Sequence, residues 1–272
     1  MTYTESQLKS FVDGLSRADT EIKKQDPDFI LAPIIGAIPF IDTLAIINPH
    51  FRLFSVEYPP STSRFENLGE IIEDWFYNFL KENHIEDEAL KLVFIDEVVS
   101  GTSAVRGHKY LNKSLEKIAK EDIKEIFQTD DIKRNGHLIG EYKKRIHDLK
   151  KQIKYHIIGI EDHSGRNQRS NNKAYNRLKR EGLVTPIEVE KIITMDNPIY
   201  TPIQLKFSHK GGSGRPFYLP EVESFCTTPE YIEFLRSVAR YIGKDPHEIN
   251  PVNQSRIFNF TRYLSDQFKV PK

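Results

Sequence analysis

The sequence predicts an α/β fold: a parallel sheet flanked by helices, with an N-terminal helix before it and a C-terminal helical extension after it. Three observations predict this class. Short apolar runs alternate with helical patterns between Asp28 and Ile160, which is the order of repeated strand–helix–strand units. Those runs are apolar throughout rather than at every second residue, as strands covered on both faces require. The chain is 272 residues long with 38% hydrophobic and 11% aromatic residues, enough to build a core around such a sheet.

Each element has its own signal. From Thr4 to Lys24, Leu8, Phe11, Val12 and Leu15 recur at helical intervals in a polar background. Asp28 to Gly36 is an apolar run that reads as a buried strand ending at a glycine. Pro39 to Ile47 suits a helix with proline in its first turn, and Asn48-Pro49-His50 breaks it. Phe51 to Tyr58 reads as a second strand stopped by Pro59-Pro60. Asn67 can cap a helix over Leu68 to Glu82, where Ile71, Ile72, Trp75, Phe76, Phe79 and Leu80 form one stripe. Lys91 to Ile95 is the clearest strand, and a helix follows from Ala104 to Phe127. Asp130 to Lys154 reads as a second, strongly basic helix. Tyr155 to Ile160 reads as a fourth strand, Val189 to Met195 as a fifth and Pro202 to Phe207 as a sixth. From Thr228 to Phe268 the pattern is again helical, punctuated by Pro246 and Pro251. The domain reading is a helical segment over 1–27, an α/β domain over 28–225 with a basic helical insertion near 130–154, and a helical segment over 226–272.

Charge and cysteine content exclude several classes. Lys plus Arg number 39 and Asp plus Glu number 39, so the net charge is zero, and bulk charge alone would not hold DNA or RNA. A local basic face stays open: 166–180 carries six basic residues and no acid, and 141–154 adds six more basic residues. Cys226 is the single cysteine, which excludes an intramolecular disulfide and a cysteine-based zinc site, and fits a reducing compartment. No stretch has the length and apolarity of a signal peptide or a membrane span. The expectation is a cytoplasmic protein without membrane contact, and homo-oligomers stay open. There is no His-Glu-x-x-His and no nucleophile elbow, so hydrolase and zinc chemistries have no support.

The chemistry concentrates at Asp96 to Ser103. Two acids end an apolar strand, Val98 and Val99 follow, and a Ser100-Gly101-Thr102-Ser103 turn opens a helix. A helix N-terminus offers unpaired N–H groups and partial positive charge, which suit phosphate. Gly101 lets the backbone approach an anion, and three hydroxyls add donors. Acids at the strand end can accept from ribose hydroxyls, or hold Mg²⁺ directly or through water. The plainer reading of the same residues is a capped helix in an ordinary α/β sheet.

Lys91 to Ser103 resembles the signature of type I phosphoribosyltransferases: an apolar strand, two acids, two apolar residues and a phosphate turn. Serine stands at 100 where that family usually has threonine, and the turn is one residue shorter. The resemblance spans about Asp28 to Ile160. It implies that Asp96 and Glu97 are the catalytic pair, holding the ribose hydroxyls of phosphoribosyl pyrophosphate (PRPP) and meeting Mg²⁺ through water. It implies that Val98 and Val99 line the substrate and that Ser100, Gly101, Thr102 and Ser103 bind the 5′-phosphate. It places the pyrophosphate loop at Ala32 to Pro39, with Gly36 and Ala37 as its small residues. A loop that closes over substrate falls by position at Pro59 to Phe65, with Arg64 as its cation.

Two readings follow from the resemblance. One is an enzyme that binds PRPP and Mg²⁺ and transfers ribosyl phosphate to an unknown acceptor, a macromolecule among the candidates; relatives of this fold also occur as effectors in bacterial conflict systems. The other is a non-catalytic regulator that senses a nucleotide or PRPP and meets nucleic acid, through 166–180, or a partner protein. The loop Ala32 to Pro39 has no Arg or Lys, which favours the second. Glu161 to Arg166, with His163, reads as part of an acceptor site at the same rim. Lys210 to Pro216 is a glycine-rich basic loop without the Gly-Lys-Ser/Thr ending of a P-loop.

Overall fold

The computed structural model describes residues 3–33, 36–60, 68–127, 136–193, 205–210, 216–220 and 229–249. Helix α1 (Glu5–Gln25) opens with a reciprocal cap in which Thr4 accepts from the Gln7 N–H and the Gln7 side chain accepts from the Thr4 N–H. Its stripe from Leu8 to Ile22 is buried, and Asp26 ends it in a left-handed conformation. Strand β1 (Phe29–Leu31) leads to α2 (Ile38–Ile47), whose Ile38 to Ile46 are all buried. Residues 34–35 of the expected first strand lie outside the described residues.

The stretch expected as one strand from Phe51 divides in two. Pro49–Leu53 is a 3-10 helix and β2 is only Ser55–Glu57. Asn48 accepts from the His50 N–H and Pro49 has the backbone angle of a first turn, so local capping wins over the apolar pattern. Next come α3 (Leu68–Asn83), β3 (Leu90–Val98), α4 (Thr102–Phe127), α5 (Gly136–Gln152) and β4 (Ile153–Asp162). Strand β3 runs past Ile95 and takes in both acids. The basic α5 stops at Gln152 because Ile153 and Lys154 pair with Leu90 and Lys91.

Two short helices, α6 (Arg166–Asn171) and α7 (Lys173–Arg180), carry the basic segment, and β5 follows at Val184–Val189. The fifth strand therefore lies before the predicted Val189–Met195. Pro186 fits within this strand because β5 is the sheet edge, where proline is tolerated. The expected sixth strand is β6 (Leu205–Lys210), which forms an antiparallel hairpin with β7 (Pro216–Pro220) rather than joining the main sheet. Helix α8 (Pro229–Tyr241) and a 3-10 turn (Pro246–Glu248) form the described part of the C-terminal extension.

The main sheet is parallel throughout, in the order β2-β1-β3-β4-β5. One face packs on α1, α2 and α8, through residues such as Phe11, Leu15, Phe40, Val93, Ile95 and Phe234. The other packs on α3, α4, α5 and α7, through Phe76, Leu92, Phe94, Leu111, Leu149 and Tyr175. The strand order reverses between β1 and β3, and in doubly wound sheets the ligand crevice opens there, beyond the carboxyl ends of the strands. No described helix is long and apolar enough to cross a membrane.

Candidate functional site

The reversal point joins the two segments singled out in the sequence. Gly36 lies beyond β1, and Glu97 lies near the end of β3. A side-chain carbon built on Gly36 would come 2.8 Å from Glu97 Cδ and 2.9 Å from Oε1. Gly36 therefore lets the loop after β1 come close to this acid, and a larger residue there would push the Glu97 carboxylate aside. Ala37 is buried at the start of α2.

The paired acids face opposite ways, because successive strand residues do. Asp96 points to the α4 side and is buried; its Oδ1 accepts from the Glu97 N–H at 2.9 Å. Among the described residues, its Oδ2, Ser103 Oγ and Tyr155 Oη are buried without a hydrogen bond of normal geometry, and the nearby Ser103 hydroxyl only partly favours the charged Asp96. Burial, then the charge of Glu97, pushes the Asp96 carboxyl well above its ordinary range. Glu97 points to the α2 side and is part-exposed. Burial and the neighbouring Asp162 push its pKa up to about 7. Asp162, on β4, is held by Ser164 Oγ at 2.7 Å and the Gly165 N–H at 2.9 Å.

The turn after β3 is braced from one side. Arg169 donates to the Val98 carbonyl at 2.8 Å and to the Asp162 carbonyl at 2.6 Å. Asn172 donates to the Ser100 carbonyl at 2.7 Å. Gly101 has φ +74, and a side-chain carbon there would lie 2.3 Å from Tyr175 Cγ. Both facts demand glycine. Ser100 Oγ and Thr102 Oγ1 are 2.9 Å apart, with Thr102 exposed and Ser100 half-buried, so hydroxyls remain on the outer side of the turn. Val98 is buried, Val99 half-buried.

The braces come from the basic segment at 166–180. Its Arg169 is buried and pairs with buried Glu161 at 3.2 Å; Lys179 reaches the same carboxylate at 3.2 Å, and Tyr175 donates to it at 2.6 Å. Part of this segment thus holds the loop from within, while Arg166, Lys173 and Arg180 stay exposed. Sequence reasoning missed the bracing role of Arg169 and Tyr175. Only Asn172 left a signal, as a helix cap directly after α6, which it is: its side chain accepts from the Tyr175 N–H. A polar cleft of about 220 Å³ lies beside this network, lined by Glu161, His163, Arg166, Lys179 and Glu188. His163 is exposed at its rim.

Arg64 and the rest of 61–67 lie outside the described residues, as do 211–215 of the glycine-rich loop. Among the described residues no three His, Cys, Asp or Glu side chains gather as a metal site. Of the pair expected to meet Mg²⁺, Asp96 is buried on the α4 side and Glu97 is part-exposed on the α2 side. Comparison with family models, with curated proteins and with solved structures returned no match for this chain.

Proposed function

We propose that the chain is a phosphoribosyltransferase-like protein that binds PRPP with Mg²⁺ and transfers its ribosyl phosphate to an acceptor. The observation that carries this reading is the contact of Glu97 with Gly36 at the reversal of strand order, next to a braced turn with outward hydroxyls. The 5′-phosphate would take the Ser100–Ser103 turn, with its hydroxyls and the amides at the head of α4. Glu97 would accept from the ribose hydroxyls and, when ionised, place negative charge near an anomeric carbon that turns oxocarbenium-like; buried Asp96, expected as its catalytic partner, faces the other side of the sheet and supports the strand end. The acceptor forms a bond to that carbon as the bond to pyrophosphate breaks; the pair of electrons leaves with pyrophosphate and the acceptor gives up a proton. When bound, Mg²⁺ supplies charge to the leaving pyrophosphate.

The test is thermal stabilisation by PRPP with Mg²⁺, followed by release of pyrophosphate with a panel of bases as acceptors. At 100 times its dissociation constant the ligand adds about 2.7 kcal/mol. Stabilisation that is lost in Glu97→Gln supports the site, and absence of any stabilisation in the wild type overturns it. A second reading, a PRPP or nucleotide sensor without turnover, rests on the missing cation in Ala32 to Pro39. Stabilisation without pyrophosphate release selects it. Under either reading, contact with nucleic acid would fall to the exposed cations Arg166, Lys173 and Arg180.

A further inference from the structure

At the opposite end of the sheet, far along β3 and β4 from Glu97, lies a cleft of about 430 Å³ that the proposed function does not use. Its apolar lining includes Ile153 and Leu183, and its polar lining includes Lys91, Lys150, Lys154 and His156; no carboxylate lines it. Volume, apolar lining and a few convergent polar groups are the marks of a small-molecule site.

The charges there are unbalanced by construction. Lys91 and Lys154 are direct partners in the β3–β4 register, so two like charges sit opposite each other on one face, an arrangement that costs stability. Asp26 relieves Lys91 at 2.8 Å. Neither Lys154 nor Lys150 has an ion pair or hydrogen bond among the described residues, and both are exposed. His156 is fixed by Thr185 Oγ1 at 2.8 Å. Burial lowers the pKa of both His108 and His156; beyond that, Glu181 favours the charged form of His108 against Lys150 and Arg177, and Glu21 that of His156 against Lys24. An anion at this place would meet two lysines, Lys150 and Lys154, that have no acidic partner among the described residues.

We propose that this cleft binds a small organic anion, an apolar body bearing a phosphate or carboxylate, with Lys150 and Lys154 on the charge and Ile153 and Leu183 against the body. The proposal does not depend on the PRPP reading, since the two sites lie at opposite ends of the strands.

The test is calorimetric titration of the full chain with phenyl phosphate, with inorganic phosphate and phenol as its separate halves. Phenyl phosphate should bind saturably, and each half at least about tenfold more weakly, ~1.4 kcal/mol. The double change Lys150→Ala and Lys154→Ala, both on exposed side chains, should weaken phenyl phosphate by about tenfold or more, while Glu97→Gln leaves it unchanged. Several results would overturn the proposal: no saturable binding, equal binding of inorganic phosphate, no effect of the double change, or loss in Glu97→Gln, which would put the probe at the other end of the sheet. A carboxylate arm, benzoate in place of phenyl phosphate, distinguishes the two anion classes by which binds more tightly.

Discussion

Glu97 is the residue on which chemistry and stability meet. Its carboxyl titrates at about 7 in the folded chain, against an ordinary 4.5. Between those values the folded state holds a proton that the unfolded state has lost, so stability falls as pH rises through that window. Below about pH 4 both states are protonated and the effect vanishes. Glu97→Gln should therefore raise stability at pH 8 by roughly 1–3 kcal/mol, and by much less at pH 5, as read by urea unfolding at the two pH values. A cation bound beside Glu97 would reduce that gain. Gly101 makes the opposite point. Gly101→Ala forces a side chain into a left-handed backbone and into the Tyr175 ring, and should cost roughly 2–4 kcal/mol in the same measurement. An equal stability of this variant would mean that the turn is not pressed against α7.

At the scale of elements, the turn after β3 and the helices α6 and α7 form one unit. Arg169 joins them through two carbonyls and one carboxylate, all with little water access. Its removal strands donors' partners and leaves Glu161 with Lys179 and Tyr175 alone. Arg169→Ala should cost about 3–5 kcal/mol, the usual price of breaking a buried pair. Arg169→Lys should recover little, since an ammonium cannot reach three acceptors with the geometry of a planar fork. Amide hydrogen exchange should report the loss first at Val98 to Ser103 and at α6. Exchange confined to α6 would show that the turn stands without its brace.

Over the whole molecule, the terminal helices close one face of the sheet. Helix α8 packs on α2, and Tyr231 donates to buried Asp42 across that contact. Burial pushes Asp42 up to about 7, which the bond from Tyr231 partly offsets. Tyr231→Phe removes the donor and should lower stability by about 1–3 kcal/mol. The loss should grow from pH 6 to pH 8, because an ionised Asp42 then has one partner fewer. Thermal unfolding at the two pH values checks this. An equal loss at both would place Asp42 in one charge state throughout. The helix α2 begins directly after Ala37, so this closure also bears on the loop that meets Glu97.

The α/β class, the parallel strands and the place of Asp96 to Ser103 were legible in the sequence, because an apolar strand, two acids and a glycine turn are contiguous signals of local physics. Local signals also misled: the fifth strand was expected at Val189 to Met195 and lies at Val184–Val189, where the sheet edge tolerates Pro186. That Asp96 faces the α4 side and Glu97 the α2 side, that Gly36 comes close to Glu97, and that a basic segment spends Arg169 inside the fold were decided by tertiary structure alone. These depend on residues about 60 to 70 positions apart being brought together by the β1–β3 and β3–β4 pairings, and no pattern along a single stretch of chain encodes such a contact.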